Sequence, residues 1–304
     1  MPVNFQDLLD AGVHFGHLRR KWNPKMAPYI FMEKNGIHII DLHKTAVKID
    51  EASAALRQIA KSGRKILFVA TKKQAKEIIA EKIKPLGMPY ITERWSGGML
   101  TNFPTVRKAI KKMSSIDKMS VDGTFANLSK REKLQISRQR AKLEKNLGSI
   151  ADMTRLPAAL FVVDVLKEKI AILEAQRLHI PIFGIVDTNS DPSNIDFIIP
   201  ANDDAAKSIS LIIDLISGSI REGMGERSAE REKEDVVDNE NQNRQQGKEK
   251  FQRRDNRQQN NNRGGDNRGG DNRNNNNKSR ARRSNNNYQN RQQGKGSDNN
   301  QPNV

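Results

Sequence analysis

Leu160–Val163 and Ile182–Val186 are short apolar runs uninterrupted by polar side chains. Neither alternates, so both predict strands covered on two faces, as in a parallel sheet. Between them Ile170, Leu173, Ala175 and Leu178 recur at helical spacing on an otherwise charged segment. Strand, amphipathic helix and strand make a βαβ unit with a right-handed crossover. Each run is followed by an aspartate, Asp164 and Asp187. These lie at the carboxyl edge, where open parallel sheets bind ligands.

The same pattern extends toward the N-terminus. Asn4 is positioned to cap a short helix carrying Phe5, Leu8 and Leu9. Tyr29–Met32 and Ile37–Leu42 predict two strands joined by a turn at Glu33-Lys34-Asn35-Gly36. A helix from Asp41 or Thr45 to about Ser62 would bury Val47, Ile49, Ala52, Leu56 and Ile59, with Gly63 ending it. Ile66–Ala70 predicts a buried strand, Thr71 a cap for a helix from Lys72 to Lys84, and Pro89–Ile91 a short strand. Residues 105–150 break this alternation. Val106, Ile110, Met113 and Ile116 mark one helix, and Ser129 with Glu132 forms a capping box for a second. Ile136, Leu143, Leu147 and Ile150 repeat at coiled-coil spacing. A last helix, capped by Asn202 or Asp203, carries Ala206, Ile209, Ile212, Ile213 and Ile216 and is expected to end near Gly218. The expectation is a doubly wound α/β sheet domain (1–104 and 151–225) with an inserted antiparallel helical hairpin (105–150).

Composition separates the end of the chain from this pattern. From Asp238 to Val304 there are 20 asparagines, and the only apolar side chains besides proline are Phe251, Ala281, Tyr288 and Val304. Such a segment buries too little surface to offset its ordering entropy, so 226–304 is expected to be a disordered tail. It holds two tandem Arg-Gly-Gly-Asp-Asn units, which place Arg263, Arg268 and Arg273 at equal spacing. Such units resemble disordered RNA-binding segments.

The net charge is +17, and residues 1–225 alone hold 35 basic and 24 acidic side chains, a net of +11. That balance favours a polyanionic partner, nucleic acid above all. Thr105–Gly148 carries 12 basic and 4 acidic residues, too few acids for helical ion pairs to neutralise. The candidate RNA contacts there are Arg107, Lys108, Lys111, Lys112, Lys130, Arg131, Lys133, Arg138 and Lys142. A second candidate group is His17, Arg19, Arg20, Lys21, Trp22 and Lys25, which combines phosphate-binding cations with stacking rings. Arg94 is a third candidate, whereas Trp95 is expected to pack between sheet and hairpin.

Catalytic signals are weak. The first strand–helix junction, Ala70 to Ala75, holds no glycine, and no nucleotide-binding glycine motif follows a strand. Asp164, Asp187 and Asp191 could gather at the sheet edge, but turn and cap hydrogen bonds account better for Asp187, Asn189 and Asp191. No catalytic residue is assigned. His14, His17, His38 and His43 match no zinc signature, so no metal or cofactor is assigned either. The absence of cysteine excludes disulfides and thiolate sites. No apolar run approaches 18 residues, and the N-terminus lacks a signal-peptide pattern, so a cytoplasmic protein without membrane or small-molecule partners is expected.

Five motifs in order carry a family resemblance. They are Ala-Gly-Val-His-Phe-Gly-His at Ala11–His17, Trp-Asn-Pro-Lys-Met at Trp22–Met26, and Arg-Trp-Ser-Gly-Gly-Met-Leu-Thr-Asn at Arg94–Asn102. Leu156–Asp164 and Ile185–Pro192 complete the set. Together they resemble the bacterial small-subunit ribosomal protein S-two family, from about Asn4 to Gly225. Ser96 departs from the family pattern, which often has leucine there. The resemblance implies a flavodoxin-like parallel sheet with a coiled-coil hairpin. It also implies a structural, non-enzymatic constituent of the small ribosomal subunit, bound to small-subunit ribosomal RNA near the head–body junction. Neighbouring subunit proteins, including ribosomal protein S-one, are the implied partners. Two other readings stay open: an α/β enzyme working at the carboxyl edge, and a free RNA chaperone driven by the tail.

Overall fold

The computed structural model describes residues 4–123 and 128–232. The elements in chain order are α1 (Phe5–Asp10), β1 (Phe15–Leu18), β2 (Ile30–Lys34), β3 (Ile37–Ile40), α2 (Leu42–Lys61), β4 (Ile66–Val69), α3 (Lys73–Ile83) and β5 (Tyr90–Ile91). They continue with α4 (Phe103–Val121), α5 (Lys130–Leu147), β6 (Ala159–Val163), α6 (Lys169–Arg177), β7 (Ile182–Val186) and β8 (Phe197–Pro200). A final helix, α7, covers residues 206–232.

The main sheet is parallel in the order β5-β4-β6-β7-β8. Counted from β4 this is 2-1-3-4-5, the flavodoxin-like order, with its switch point between β4 and β6. Its strands alternate between two cores. Phe68, Phe161, Val163, Phe183 and Ile185 face α2, α3 and α7, while Leu67, Val69, Leu160, Val162 and Ile182 face α6 and the start of α4. Both faces are therefore apolar, which is why the strands read as unbroken hydrophobic runs. Each fully buried large side chain contributes about 1.5–3 kcal/mol.

A second sheet, β1-β3-β2, is antiparallel. The β2–β3 turn places Asn35 and Gly36 at φ 53° and 74°, the left-handed pair that a tight hairpin requires. Strand β1 lies within the basic, turn-rich motif and has no apolar alternation, so the sequence pattern did not reveal it.

Several local expectations need correction. Thr71 does not cap α3: its N–H is 2.9 Å from Glu168 Oε1, and its hydroxyl donates to the same oxygen. Lys72 takes the cap position without a side-chain cap bond. Val47 on α2 is exposed. On α6 the buried face is Ala171, Ile172, Glu174 and Ala175, whereas Ile170 and Leu173 are exposed. Glu174 turns inward because backbone donors await its carboxylate, and this rotates the apolar stripe outward.

The inserted helices pack antiparallel. Asp117 of α4 meets Arg140 of α5 at 2.5 Å, while Val106 and Ile110 share a cluster with Leu143 and Leu147 at the root. The capping box of Ser129 and Glu132 is formed. The coiled-coil spacing is not realised as a continuous buried seam. Leu147 and Ile150 are buried, Ile136 and Leu143 are half-buried, and Leu134 and Val121 are exposed. Toward the tip the helices flank a groove of about 730 Å³ lined by Ile116, Val121, Leu134 and Ser137. Two helices alone cannot cover both sides of the seam.

Helix α7 does not stop near Gly218. It continues through residues 226–232, which composition had assigned to the tail. Glu226 and Glu230, one turn apart, face α2: Lys61 Nζ lies 3.6 Å from Glu226 and 2.5 Å from Glu230, and Arg57 also pairs with Glu226. The tail residues from 233 onward lie outside the described residues. Gly223 permits this close packing, since a Cβ there would stand 2.4 Å from the Arg57 carbonyl oxygen. Gly223→Val is expected to push α7 off α2 and lower unfolding stability by about 1–3 kcal/mol, read by urea denaturation.

Candidate functional site

Three groups of side chains carry the chemistry of this surface. The first is the face of the α4–α5 pair. Arg107, Lys108, Lys111 and Lys112 are exposed on α4, opposite the inward Phe103, Ile110, Met113 and Ile116. On α5, Arg131, Arg138 and Lys142 follow at i, i+7 and i+11, one outward face, and Lys130 is exposed beside it. Among the described residues no carboxylate pairs with Lys108, Lys111, Lys112, Lys130, Arg131, Arg138 or Lys142. Ion pairs of the hairpin are seen instead on Arg140, with Asp117 and Glu144, and on Lys145, which reaches Glu93. Arg107 is partly engaged, donating to the Thr154 carbonyl at 3.2 Å. Lys133 is half-buried.

The second group is N-terminal. Arg19, Arg20 and Lys21 form an exposed 3₁₀ turn, with Arg19 3.3 Å from Glu33. Trp22 is half-buried and its ring packs 5.0 Å from that of buried His38. Asn23 caps the next 3₁₀ turn through the Lys25 N–H, and Lys25 itself pairs with Asp191 at 2.8 Å. That hydrogen bond, with one from the Ser193 N–H, pulls the Asp191 carboxyl down to about 2. His17 stands apart from these cations. It belongs to β1 and is turned toward the carboxyl edge of the main sheet.

Arg94 is exposed at the head of the loop to Asn102, and Trp95 is buried, as expected. The loop is organised by Glu174. Its carboxylate accepts from Trp95 Nε1 at 3.0 Å, from the N–H groups of Gly98, Leu100 and Thr101 at 2.7, 2.9 and 3.1 Å, and from the Thr101 hydroxyl at 3.2 Å. Burial alone would raise the Glu174 carboxyl, but these donors outweigh it and hold it below its ordinary value.

The third group is a charge cluster where β4, β6, β7 and β8 end. Lys72 Nζ lies 2.8 Å from Asp203, 2.5 Å from Asp204 and 3.6 Å from Asp164. Burial opposes the lysine's charge, yet the hydrogen bonds to Asp203 and Asp204 raise it above its ordinary value. His17 Nδ1 is 3.0 Å from Asp187 Oδ2, and Nε2 is 3.3 Å from Asp204 Oδ2. The Asp187 contact raises the imidazole above its ordinary value, with burial acting against it. Burial, reinforced by the like charge of Asp187, holds Asp203 well above the usual carboxylate range. Asp164 adopts φ 70° and caps a turn through the Lys167 N–H. Asp187 is held by Thr188, whose hydroxyl donates to Oδ1 at 3.1 Å. The three aspartates considered from sequence thus divide: Asp164 and Asp187 reach this cluster, while Asp191 pairs with Lys25. His17, Asp187 and Asp203 are the described side chains whose donor atoms gather closely enough, within 4.8 Å, to hold a metal ion.

The family described as ribosomal protein S2 matches residues 8–223. The chain is 72% identical over 229 residues to the small ribosomal subunit protein uS2 of Phocaeicola vulgatus, covering 75% of this chain and 82% of that protein. It is 71% identical to the protein of that name from Bacteroides fragilis and 70% to that from Porphyromonas gingivalis, over the same shares. This chain belongs to the ribosomal protein S2 family.

Two residues of this S2-family chain were missed by sequence reasoning. Lys72 was read as part of a helix start, and Glu174 as one charge among many on α6. Glu174 did carry a signal, since it sits three residues after Ala171 and beside Ala175, on a face of small residues suited to close packing. Lys72 carried none, because its partners lie more than 90 residues away in sequence.

Glu174→Ala would strand the Trp95 indole N–H and several backbone donors. A loss of about 3 kcal/mol or more is expected in chemical denaturation, with Trp95 fluorescence shifting to the red. A second expectation concerns pH. Because the Asp191 pKa is depressed, its ion pair stabilises the fold above the ordinary carboxylate range and is lost as pH falls toward about 2. Lys25→Gln should raise Asp191 toward ordinary values in a carboxylate NMR titration, with the Ser193 N–H still holding it below them. Both side chains are over a third exposed, so the stability change at neutral pH should be only about 0.2–1 kcal/mol.

Proposed function

We propose that this chain is a structural constituent of the small ribosomal subunit, working in translation in the cytoplasm by binding small-subunit ribosomal RNA. The observation that carries the reading is the row of cations on the outward face of the hairpin that meet no carboxylate among the described residues. A cation with a carboxylate neighbour is already neutralised, whereas Lys108, Lys111, Lys112, Arg138 and Lys142 are free to replace the counterions of a phosphate backbone. The family membership and the names of its relatives support the same reading.

The hairpin (105–150) is the proposed RNA-binding arm on the sheet domain (1–104 with 151–225). Arg107, Lys130, Arg131 and Lys133 flank its cationic row. Arg19, Arg20, Lys21, Trp22 and Lys25 provide a second contact region, with His17 behind them, and Arg94 a third. Arg263, Arg268 and Arg273 of the tail are proposed to add salt-sensitive, sequence-tolerant attraction to single-stranded RNA. Neighbouring subunit proteins, ribosomal protein S-one among them, are the proposed protein partners. Exposed Phe15, Leu18, Phe31 and Met32 on the small sheet offer apolar area for such contacts.

The competing enzyme reading finds less support. Lys72 holds Asp203 and Asp204, Lys25 holds Asp191, and Asp164 caps a turn. These carboxylates are engaged in holding loops together.

Replacing Lys108, Lys111, Lys112, Arg138 and Lys142 with glutamine should leave the circular dichroism and melting temperature near those of the parent. Incorporation into small subunits should fall. The slope of log affinity against log salt should shrink by about 0.7–0.9 for each phosphate contact removed. A folded variant that assembles normally would remove the hairpin from the RNA-binding surface.

A further inference from the structure

We propose that the outward face of α6 is a docking surface for an acidic amphipathic helix of another protein. Between Leu166 and Leu178 the exposed side chains are Leu166, Lys167, Lys169, Ile170, Leu173 and Arg177. Leu166, Ile170 and Leu173 are 54%, 57% and 51% exposed. They follow one another at i, i+4 and i+7, with Leu166 in the turn that leads into the helix. That spacing sets them in one row on one face. A single exposed leucine needs no explanation, whereas three large aliphatic side chains side by side mark a surface that something covers.

The first support is that the row cannot turn inward. Glu174 lies on the opposite side of α6 and is held there by Trp95 and by the N–H groups of Gly98, Leu100 and Thr101. Rotating the helix to bury Ile170 and Leu173 would break all of these bonds. The row is therefore a fixed feature of the folded chain. A cavity of about 160 Å³ opens beside it, and its lining includes Thr71, Trp95, Lys167 and Ile170. Such a recess next to an apolar row suits one anchoring side chain of a partner.

The second support is charge of one sign. Both acids of the segment, Glu168 and Glu174, are buried. Glu168 accepts from the Thr71 N–H and hydroxyl. Glu93, which borders the cavity, is answered by Lys76 at 3.3 Å and Lys145 at 3.4 Å. Lys167 donates to the Thr71 carbonyl at 3.1 Å. Lys167, Lys169 and Arg177 meet no carboxylate among the described residues. The aliphatic row is thus flanked by cations alone.

This combination selects the occupant. A second copy docked face to face would set Lys167, Lys169 and Arg177 against cations of the same kind. The chain's own sequence from Asp238 to Val304 has 15 basic and 7 acidic residues and few apolar side chains, so its charge has the wrong sign. RNA would answer the cations, but it is gripped by stacking on aromatic rings, and none of the six exposed side chains is aromatic. A protein segment with carboxylates beside apolar residues answers both halves of the face. The row from Leu166 to Arg177 spans about three helical turns, which matches a helix whose own apolar residues recur three and four apart.

The test uses the full chain with the photo-crosslinker p-benzoylphenylalanine in place of Leu173, or in place of exposed Val47 on α2 as a control, irradiated in the cells that make it. The expected result is one protein adduct at 173, absent at 47, whose crosslinked segment is rich in Asp and Glu with apolar residues three and four apart. A synthetic peptide of that segment should bind the purified full chain. Leu166→Gln, Ile170→Gln and Leu173→Gln combined should weaken this binding about 10-fold or more, and so should Lys169→Glu with Arg177→Glu. Both variants should keep the parent circular dichroism, since the altered side chains are exposed and glutamine and glutamate are good helix formers. The triple glutamine variant keeps every cation and should bind single-stranded RNA as the parent does, so this proposal and the RNA-binding reading fail separately. The proposal would be overturned by no adduct at 173, or by an adduct there to RNA, lipid, a second copy or the chain's own tail. A basic crosslinked segment, or undiminished peptide binding by either folded variant, would overturn it equally.

Discussion

The hydroxyl of Thr188 is the point on which the N-terminal third of the chain depends. It accepts the His17 N–H and donates to Asp187, while the Thr188 carbonyl accepts the Asn23 N–H at 2.8 Å. One fully buried residue at the end of β7 therefore seats both β1 and the turn that follows it. Asn202 repeats the device from the next strand, with its N–H bound to the Val13 carbonyl and its side chain to that of Gly12. The small antiparallel sheet shares no strand with the large parallel one. Polar bonds at the carboxyl edge, partly or wholly buried, help hold it there.

This arrangement keeps the charges of the molecule in separate places. Carboxylates collect at the sheet edge, where Lys72 and His17 compensate them over short distances. Lys108, Lys111, Lys112, Arg138 and Lys142 of the hairpin meet no carboxylate among the described residues. A single mixed surface would neutralise itself and lose its attraction for a polyanion. The hairpin also needs a stiff root, and Glu174 supplies part of it. By gathering the N–H groups of Gly98, Leu100 and Thr101, it fixes the loop immediately before α4. That carboxylate on α6 thus links the core of the sheet to the direction in which the basic arm leaves it.

The parts of the fold legible in the sequence were those governed by local periodicity. Strands β4, β6 and β7 are apolar without interruption because helices cover both sides, and their shortness and spacing between turn residues favour strands. The Ser129–Glu132 box and the Asn35–Gly36 turn were legible because their hydrogen bonds and dihedral angles involve residues only a few positions apart. The α6 stripe misled for the opposite reason. Ile170 and Leu173 suggested a buried face, but five hydrogen bonds from a distant loop rotated Glu174 inward instead. Helix α7 outran its expected end because Arg57 and Lys61 on α2 offered partners for Glu226 and Glu230.

By itself the sequence determined the fold class, the presence of a helical pair, the excess of positive charge and the family. Each follows from composition, from spacing within one element, or from motifs in order. Only the tertiary structure decided which charges are paired and which are free. Lys72, read as an ordinary helix-start lysine, became the centre of a buried network, and His17, read as a phosphate contact, was drawn to Asp187. Lys108 and Lys142, indistinguishable from Lys72 in the sequence, were left open to solvent. Electrostatic energy depends on distance in space and on burial, and strand order sets both across more than a hundred residues of chain.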